Sequence, residues 1–576
     1  MIIPSFIDKT YNTIVSYKGQ LIYRLSFPIR ECLFQNRKHC FHLSVICGIL
    51  NTAFVHVRED KKRMQKLLKY LFVGENYKIN AQKRMLLFWG EGILLCANGY
   101  AFFNYMPKHD AINHMFSFAG EWEVRLGRFL QPYYAYLRGN VVSPWLVGVI
   151  GSVFAMMSVL VILNILQIEN PVYEILAAGF LVANLTVTEL CGIYLYIYDC
   201  CMIALFFACL SVWCWMHVRH PWHIVMGAAC LVLSMGFYQA YISVTIVLCV
   251  VILLQKALSD TAWREEIGDA VSVVLMTVIG CIAYLLLYKI QLSVWHTTPT
   301  DGSNGMQRLA ELSVGMIIQN IMKTYRDILD FFVTGSRYFG GIVCALHGML
   351  LLIVLAGFII LLWQKKLKVF NLITAIVLII TLPVWCNFTS VLQGEGIVLR
   401  SSYALHLLFP IGLMIITNIG SVSLKKQMQY IVGFICVFLL IRNVQYSNTV
   451  YMYARVTYDR TVSIMTRILE DVEEYEGYES GKTQVAVIGQ FSGNYNVAAY
   501  KGDRKYVNGS NTTSTTYPQT TYNFWRSLGS PINGIEDSVI LETYAEMNSV
   551  KEMPCYPYDG YCQMVGDVLV VKIADK

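Results

Sequence analysis

The chain has 576 residues, of which 56% are hydrophobic, 13% aromatic and only 14% charged. A soluble protein of this length carries roughly 25% charged residues and divides into several compact domains. The composition therefore excludes most cytosolic enzymes and the nucleic-acid-binding classes, and it indicates a polytopic membrane protein. The formal net charge of +7 is unevenly spread: residues 1–84 hold 15 Lys/Arg against 5 Asp/Glu, whereas residues 447–576 hold 11 against 16. A basic head and an acidic tail suggest opposite sides of a bilayer.

Residues 1–84 read as a basic cytoplasmic extension lying partly amphipathic on the inner leaflet. The apolar run 43–57 is short and is followed at once by Arg58-Glu-Asp-Lys-Lys-Arg63, so a twelfth span there stays open. Met1–Arg30 lacks the apolar core of a cleavable signal, which leaves insertion to the first membrane helix. About 20 apolar residues cross the hydrocarbon. Runs of that kind fall at 86–106, 144–166, 172–189, 200–217, 222–237, 238–255, 269–291, 341–363, 369–386, 403–420 and 429–446, eleven in all.

With the N-terminus inside, the short loops holding Arg219, Lys256 with Arg264, Lys365-Lys366-Leu-Lys368 and Lys425-Lys426 all become cytoplasmic, as the positive-inside rule requires. The transmembrane domain is then 85–446, with outer loops 107–143, 292–340 and 387–402 in a plasma (inner) membrane. The tail 447–576 is extracytoplasmic. Within 307–332, apolar residues recur at helical spacing between charges, which predicts a helix lying along the outer face. The tail opens with a helical pattern at 450–476. Short β-like runs follow at Gln484–Ile488, Ser538–Glu542 and Asp567–Ile573, giving a small α/β module. Its two cysteines, Cys555 and Cys562, could close a short disulfide outside the cell.

Candidate chemistry concentrates in the outer segments. Asp110 lies just beyond the first span, next to His109, where a carboxylate can take a proton from an acceptor hydroxyl. Arg125 and Arg128 carry guanidinium forks that match phosphate oxygens, and Glu121 and Glu123 could add acid/base capacity or pair with them. Read as composition alone, the same loop fits ordinary surface ion pairs. Asp199, at the outer start of a span, calls for a partner such as Tyr194 or Lys289, or for a functional role. Tyr238 and Gln239 interrupt a nearly apolar stretch and could bond between helices or to sugar hydroxyls. Arg400 is either a second phosphate contact or an interfacial anchor. No His/Asp cluster has dedicated metal-ligand spacing, although a divalent cation such as Mg or Mn could assist.

An Asp just after the first span is followed by Gly127-Arg-Phe-Leu-Gln-Pro132. Gly236-Phe-Tyr-Gln-Ala240 sits in mid-bundle, Tyr194-x-x-x-Tyr198-Asp199 precedes a span, and Arg442-Asn443 precedes Tyr458-Asp459-Arg460. In order and placement these motifs resemble the O-antigen type II glucosyltransferase (Gtr) family over roughly residues 86–490. The wider class such proteins resemble, the GT-C membrane glycosyltransferases, implies an all-α polytopic bundle. It also implies a polyprenyl-phosphate sugar donor, a polysaccharide or glycolipid acceptor, and a catalytic carboxylate in the first outer loop. By that resemblance Asp110 is the general base or acceptor-positioning group, Arg128 with Arg125 meets the donor phosphate, and Tyr238 and Gln239 contact sugar. Many relatives are expected to carry a second acidic residue near the first, whereas this chain has Asp110-Ala-Ile-Asn113, so a second carboxylate must come from Glu121 or elsewhere. The expected reaction is a single inverting displacement.

Two other classes compete. A lipid-linked sugar flippase predicts inverted repeats and paired midplane charges, and this sequence gathers its polar residues at the outer ends instead. A polysaccharide polymerase or ligase shares the many spans and the large outer loop, but resembles the chain less in the placement of Asp110.

Overall fold

In the computed structural model, the described residues are 81–575, apart from 109, 116–119, 169, 220–221, 301–312, 336–337, 395, 421, 491–514 and 516–517. Nearly all of the basic head, including the run 43–57, and His109 lie outside the described residues.

Among the described residues, eight helices are long and apolar enough to cross a membrane: Ala81–Phe103, Pro144–Leu166, Leu195–His217, Gln239–Leu258, Trp263–Val294, Gly341–Lys365, Val369–Cys386 and Ser423–Glu473. A ninth candidate, Pro171–Val182 with Leu185–Gly192, is bent by 40°. Trp222–Phe237 and Tyr403–Thr417 are apolar but shorter. All eleven apolar runs are thus helical, but only eight of them give unbroken helices of spanning length.

The two interruptions follow from backbone satisfaction. A carbonyl freed inside an apolar bundle must find another donor. At the bend, Asn184 leaves the helix (φ −141°, ψ 169°), and its side chain caps the next one by accepting from the Val187 amide at 3.0 Å. Donors from distant segments serve the carbonyls left behind: Asn98 to Val182 O (3.1 Å), Asn443 to Ala183 O (3.0 Å) and the Tyr403 hydroxyl to Leu181 O (2.7 Å). At the second break Tyr238 is extended (φ −160°, ψ 110°). There the Leu130 amide donates to Gly236 O (3.0 Å) and the Gln131 side chain to Phe237 O (2.7 Å). The first loop is therefore stitched to the mid-bundle motif.

The stretch Val314–Leu329 is an amphipathic helix, as expected. It docks on the neighbouring loop through Asn320 to Val391 O (2.9 Å) and Lys323 to Gly394 O (3.0 Å). Val314, Ile318 and Met322 stay exposed on its other side.

Two expected elements are in fact one. The last span and the helical start of the tail form a single helix, Val422–Glu473, of 52 residues. No proline interrupts it, and at 1.5 Å per residue it runs about 78 Å, well beyond the roughly 30 Å of hydrocarbon. Its far end carries the C-terminal module. Strands β1 (Gln484–Ile488), β2 (Asn533–Gly534), β3 (Cys562–Val565) and β4 (Val568–Lys572) form one sheet in the order β2-β1-β4-β3. β1 is parallel to both neighbours, and β3 and β4 form an antiparallel hairpin. The expected strand at Ser538–Glu542 is instead a helix, Ser538–Glu546. Asp537 caps it, accepting from the Val539 and Ile540 amides at 2.8 and 3.4 Å. Cys555 and Cys562 remain separate thiols, Cys555 Sγ lying 3.6 Å from Asp575 Oδ1.

Asp199 is paired with Arg138, not with Tyr194 or Lys289. Arg138 Nη1 lies 2.5 Å from Asp199 Oδ2, with the two side chains 1% and 0% exposed. Tyr134 also donates to that oxygen, at 2.7 Å, and Arg138 Nη2 donates to Tyr196 O at 3.2 Å. This buried pair pins the helix Gln131–Leu137 to the start of the Leu195–His217 span. Removing one partner strands a buried charge, which typically costs about 3–5 kcal/mol. Arg138→Leu should therefore lower the thermal unfolding midpoint in detergent markedly, and an unchanged midpoint would show that the pair contributes little.

Candidate functional site

The first loop, the two helix breaks and the segment before Tyr403 meet at one end of the bundle. Leu399–Ser401 is a single 3-10 turn there, and it carries Arg400. The Arg128 guanidinium lies over the Tyr238 ring, 4.3 Å from its centroid. Arg400 lies 5.4 Å from the centroid of Tyr194 and also acts electrostatically on Tyr238, whose hydroxyl sits 3.5 Å from Ser401 Oγ. Two guanidinium groups thus converge on one tyrosine, and among the described residues neither forms an ion pair with a carboxylate. Arg128 Nε is buried and makes no hydrogen bond. Cations held this way on aromatic faces are available to an anion.

Carboxylates border the same space. Asp110 opens the one-turn helix Asp110–Asn113 and acts on the Tyr194 and Tyr196 phenols. Burial pushes the Tyr194 phenol up to about 12, against the pull of Arg400. Glu123, 1% exposed, lies 3.4 Å from His114 Nε2, and the His114 ring stacks on Tyr196 at 4.7 Å. Glu189, on the second half of the bent span, acts on both Tyr194 and Arg400. The arrangement places acid/base groups beside an anion cradle, a pairing that suits displacement of a phosphate leaving group.

The residues singled out from the sequence separate into two sets. Asp110, Arg128, Arg400, Tyr194 and Tyr238 come together. Arg125 and Glu121 face away: Arg125 Nε donates to Thr298 O at 3.2 Å, and the exposed Glu121 accepts from Thr297 at 3.1 Å. Gln239 supports the site from behind, its side chain donating to Leu126 O. Together with Tyr284, which donates to Gly127 O at 2.9 Å, it fills the space beside Gly127. Gly127 has φ +87°, and a Cβ there would come within 2.4 Å of both side chains. Only glycine lets the chain turn so tightly in front of Arg128. Asp199 lies outside this set, bonded by Arg138 and Tyr134, and Arg138 in turn donates to Tyr196 O.

Sequence reasoning missed His114, Tyr196, Glu189 and Ser401, and gave Glu123 only a passing role. A usable signal existed for Glu123: in a single helical turn, residues two apart point to opposite sides, so an outward Glu121 implies an inward Glu123. Among the described residues, no group of three or more His, Cys, Asp or Glu side chains could hold a metal ion.

An apolar cavity of about 300 Å³ lies beneath the amphipathic helix, lined by Ile328, Phe332, His347, Leu350, Leu382 and Phe409. Phe409 stacks on Phe180 at 4.3 Å. Nearby, His406 meets Thr186 Oγ1 at 3.2 Å, and Thr186 donates to Leu399 O at 2.7 Å, next to Arg400.

The family model described as Glucosyl transferase GtrII matches residues 99–417, more than half of the chain. No curated protein and no solved structure matches. The match covers the first loop, both breaks and Arg400 and bears out the family resemblance, while Arg442-Asn443 and Tyr458-Asp459-Arg460 lie beyond it.

Lys108, two residues before Asp110, is completely buried, and burial pulls its ammonium down to about 7 from 10.5. Between those two values the unfolded chain holds a proton that the folded chain has released, so stability should rise with pH across that window and stay flat below it. Lys108→Met is expected to abolish this rise. Thermal midpoints in detergent at about pH 7 and about pH 9.5 measure it, and an equal rise in the variant would count against the assignment.

Proposed function

Because the chain belongs to the GtrII glucosyl transferase family, we propose that it moves a hexosyl group, most simply glucosyl, from a polyprenyl-phosphate donor to a cell-surface polysaccharide or glycolipid. The reaction occurs on the outer face of the plasma (inner) membrane. Eleven crossings, with the two shorter helices and the bent one spanning, leave the N-terminus cytoplasmic and the C-terminal module outside. The distribution of short basic loops supports this orientation. In this reading the bundle is of the GT-C kind.

The observation that carries the proposal is the convergence of Arg128 and Arg400 on Tyr238, neither of them in an ion pair among the described residues, with Asp110 and Arg400 both acting on Tyr194. A lipid phosphate needs such a cradle at the membrane rim, and its chain needs an apolar channel. In this reading the chain occupies the apolar cavity lined by Ile328 and Leu329 of the amphipathic helix.

Asp110 accepts the proton of the acceptor hydroxyl as that oxygen bonds to the anomeric carbon. The bond from that carbon to the phosphate oxygen breaks in the same displacement, inverting the centre. Negative charge growing on the leaving phosphate is met by Arg128 and Arg400, so no strong acid is required. The Glu123–His114 pair lies within the same loop and can relay the released proton. Tyr238, 2% exposed, and Tyr194 serve the sugar site by holding Arg128 and Arg400 on their ring faces. A divalent cation could bridge donor phosphate and protein, and no step above depends on one.

Transfer of labelled hexose from synthetic polyprenyl-phosphate glucose in membranes tests the scheme. Asp110→Asn should abolish transfer with insertion intact. Arg128→Ala and Arg400→Ala should each cost about 1.5–3 kcal/mol, roughly 10- to 150-fold in kcat/KM, as loss of a charge-assisted contact does. Arg125→Ala should stay within about threefold, since its half-buried guanidinium is tied to Thr298 O and not to the Tyr238 cluster. Full activity of Asp110→Asn alongside a dead Glu123→Gln would move the base to Glu123.

A further inference from the structure

The C-terminal module lies beyond the matched region, which ends at residue 417, yet it reaches back into the first loop. Asp110–Asn113 is a single helical turn of four residues, and so short a helix has no stability of its own. Tertiary contacts must hold it. Ile112, 2% exposed, belongs to the core of the module, together with Ile464, Met465, Phe524 and Trp525. Met115 packs against that same core. Asn113 Oδ1 accepts from Asn523 Nδ2 at 2.8 Å. Asn523 is itself oriented by Arg526 Nη1 at 2.9 Å, and Arg526 pairs with Glu536 at 3.1 Å.

Residues two apart on a helix lie about 200° around its axis. Burying Ile112 in the module therefore turns Asp110 the other way, toward Tyr194 and Tyr196, the phenols it acts on. Resting on the reading of Asp110 given above, we propose that the C-terminal module positions the reacting carboxylate, with Ile112 and Asn523 as positioning residues. The tail is thus a working part of the transferase. The acceptor hydroxyl is deprotonated only while the module is docked on the Asp110 turn.

Membranes carrying the full-length chain test this in two ways. In the first, transfer is measured for Ile112→Ala, for Asn523→Ala, and for Ile112→Ala combined with the cysteine pair Asn113→Cys and Asn523→Cys. The expected result is a fall in kcat of about tenfold or more, as misplacement of a catalytic group by a fraction of an ångström produces, with the donor KM within about twofold. Oxidising the cysteine pair should restore most of the rate, and reduction should remove it again. Wild-type kcat in both single variants, or a loss that cross-linking leaves unchanged, overturns the proposal. If Ile112→Ala fails to fold, Asn523→Ala, which removes only a half-buried hydrogen bond, gives the decisive rate.

In the second, hydrogen exchange of residues 108–115 is compared between wild type and Asn523→Ala. Loss of protection confined to that segment is expected, and unchanged protection overturns the docking. This measurement needs no donor. An inactive wild-type chain that still loses protection in Asn523→Ala would therefore sink the donor assignment and leave the docking standing.

Discussion

The structure depends on one constraint: a peptide group freed inside an apolar bundle has no water to turn to. One helix breaks at Ala183–Asn184 and two helices meet at Tyr238, and each place leaves carbonyls that protein donors reach. Asn98, Asn443 and Tyr403 answer the first, and the Leu130 amide with Gln131 answers the second. Because these donors come from segments far apart in the chain, satisfying the breaks also fixes where those segments lie. The site occupies the ground between them.

The first loop shows how this selects residues. Gln239 and Tyr284 hold the turn at Gly127, and the Gly236 and Phe237 carbonyls hold Leu130 and Gln131. Arg128, between those two attachments, faces inward onto Tyr238. Glu121 and Arg125, four residues apart on one turn of helix, share the outer face, and Glu123 takes the inner one. The buried Arg138–Asp199 pair closes the arrangement from the other side and fixes the backbone of Tyr196. In this reading its role is geometric, since the Asp199 carboxylate is taken up by Arg138, Tyr134 and the Cys200 amide.

The long helix Val422–Glu473 ties membrane to module. Its N-terminal half supplies Asn443 to the first break, and its C-terminal half supplies Ile464, Met465 and Ile468 to the core that buries Ile112. A continuous helix transmits position rigidly. The sheet behind it therefore belongs mechanically to the first loop, although nearly 350 residues separate them in the chain.

The apolar runs alone determined that this chain is a helical membrane protein, because a hydrocarbon span is a local property of about 20 consecutive residues. The strands at Gln484–Ile488 and Asp567–Ile573 were legible for the same reason, being short local patterns. The order of the motifs fixed the family and put Asp110, Arg128, Arg400, Tyr194 and Tyr238 under suspicion. Side-chain direction was not legible. Arg125 and Arg128 look equivalent in a string of letters, and only the Gly127 turn and its partners from two other helices separate them. Asp199 called for a partner or a functional role, and the partner proved to be neither Tyr194 nor Lys289 but Arg138, 61 residues away. The run at Ser538–Glu542 misread as a strand because one capping aspartate outweighed its β-branched residues. Composition and order could thus name the bundle and its family. Which charges face each other was decided by where unsatisfied backbone forced distant segments to meet.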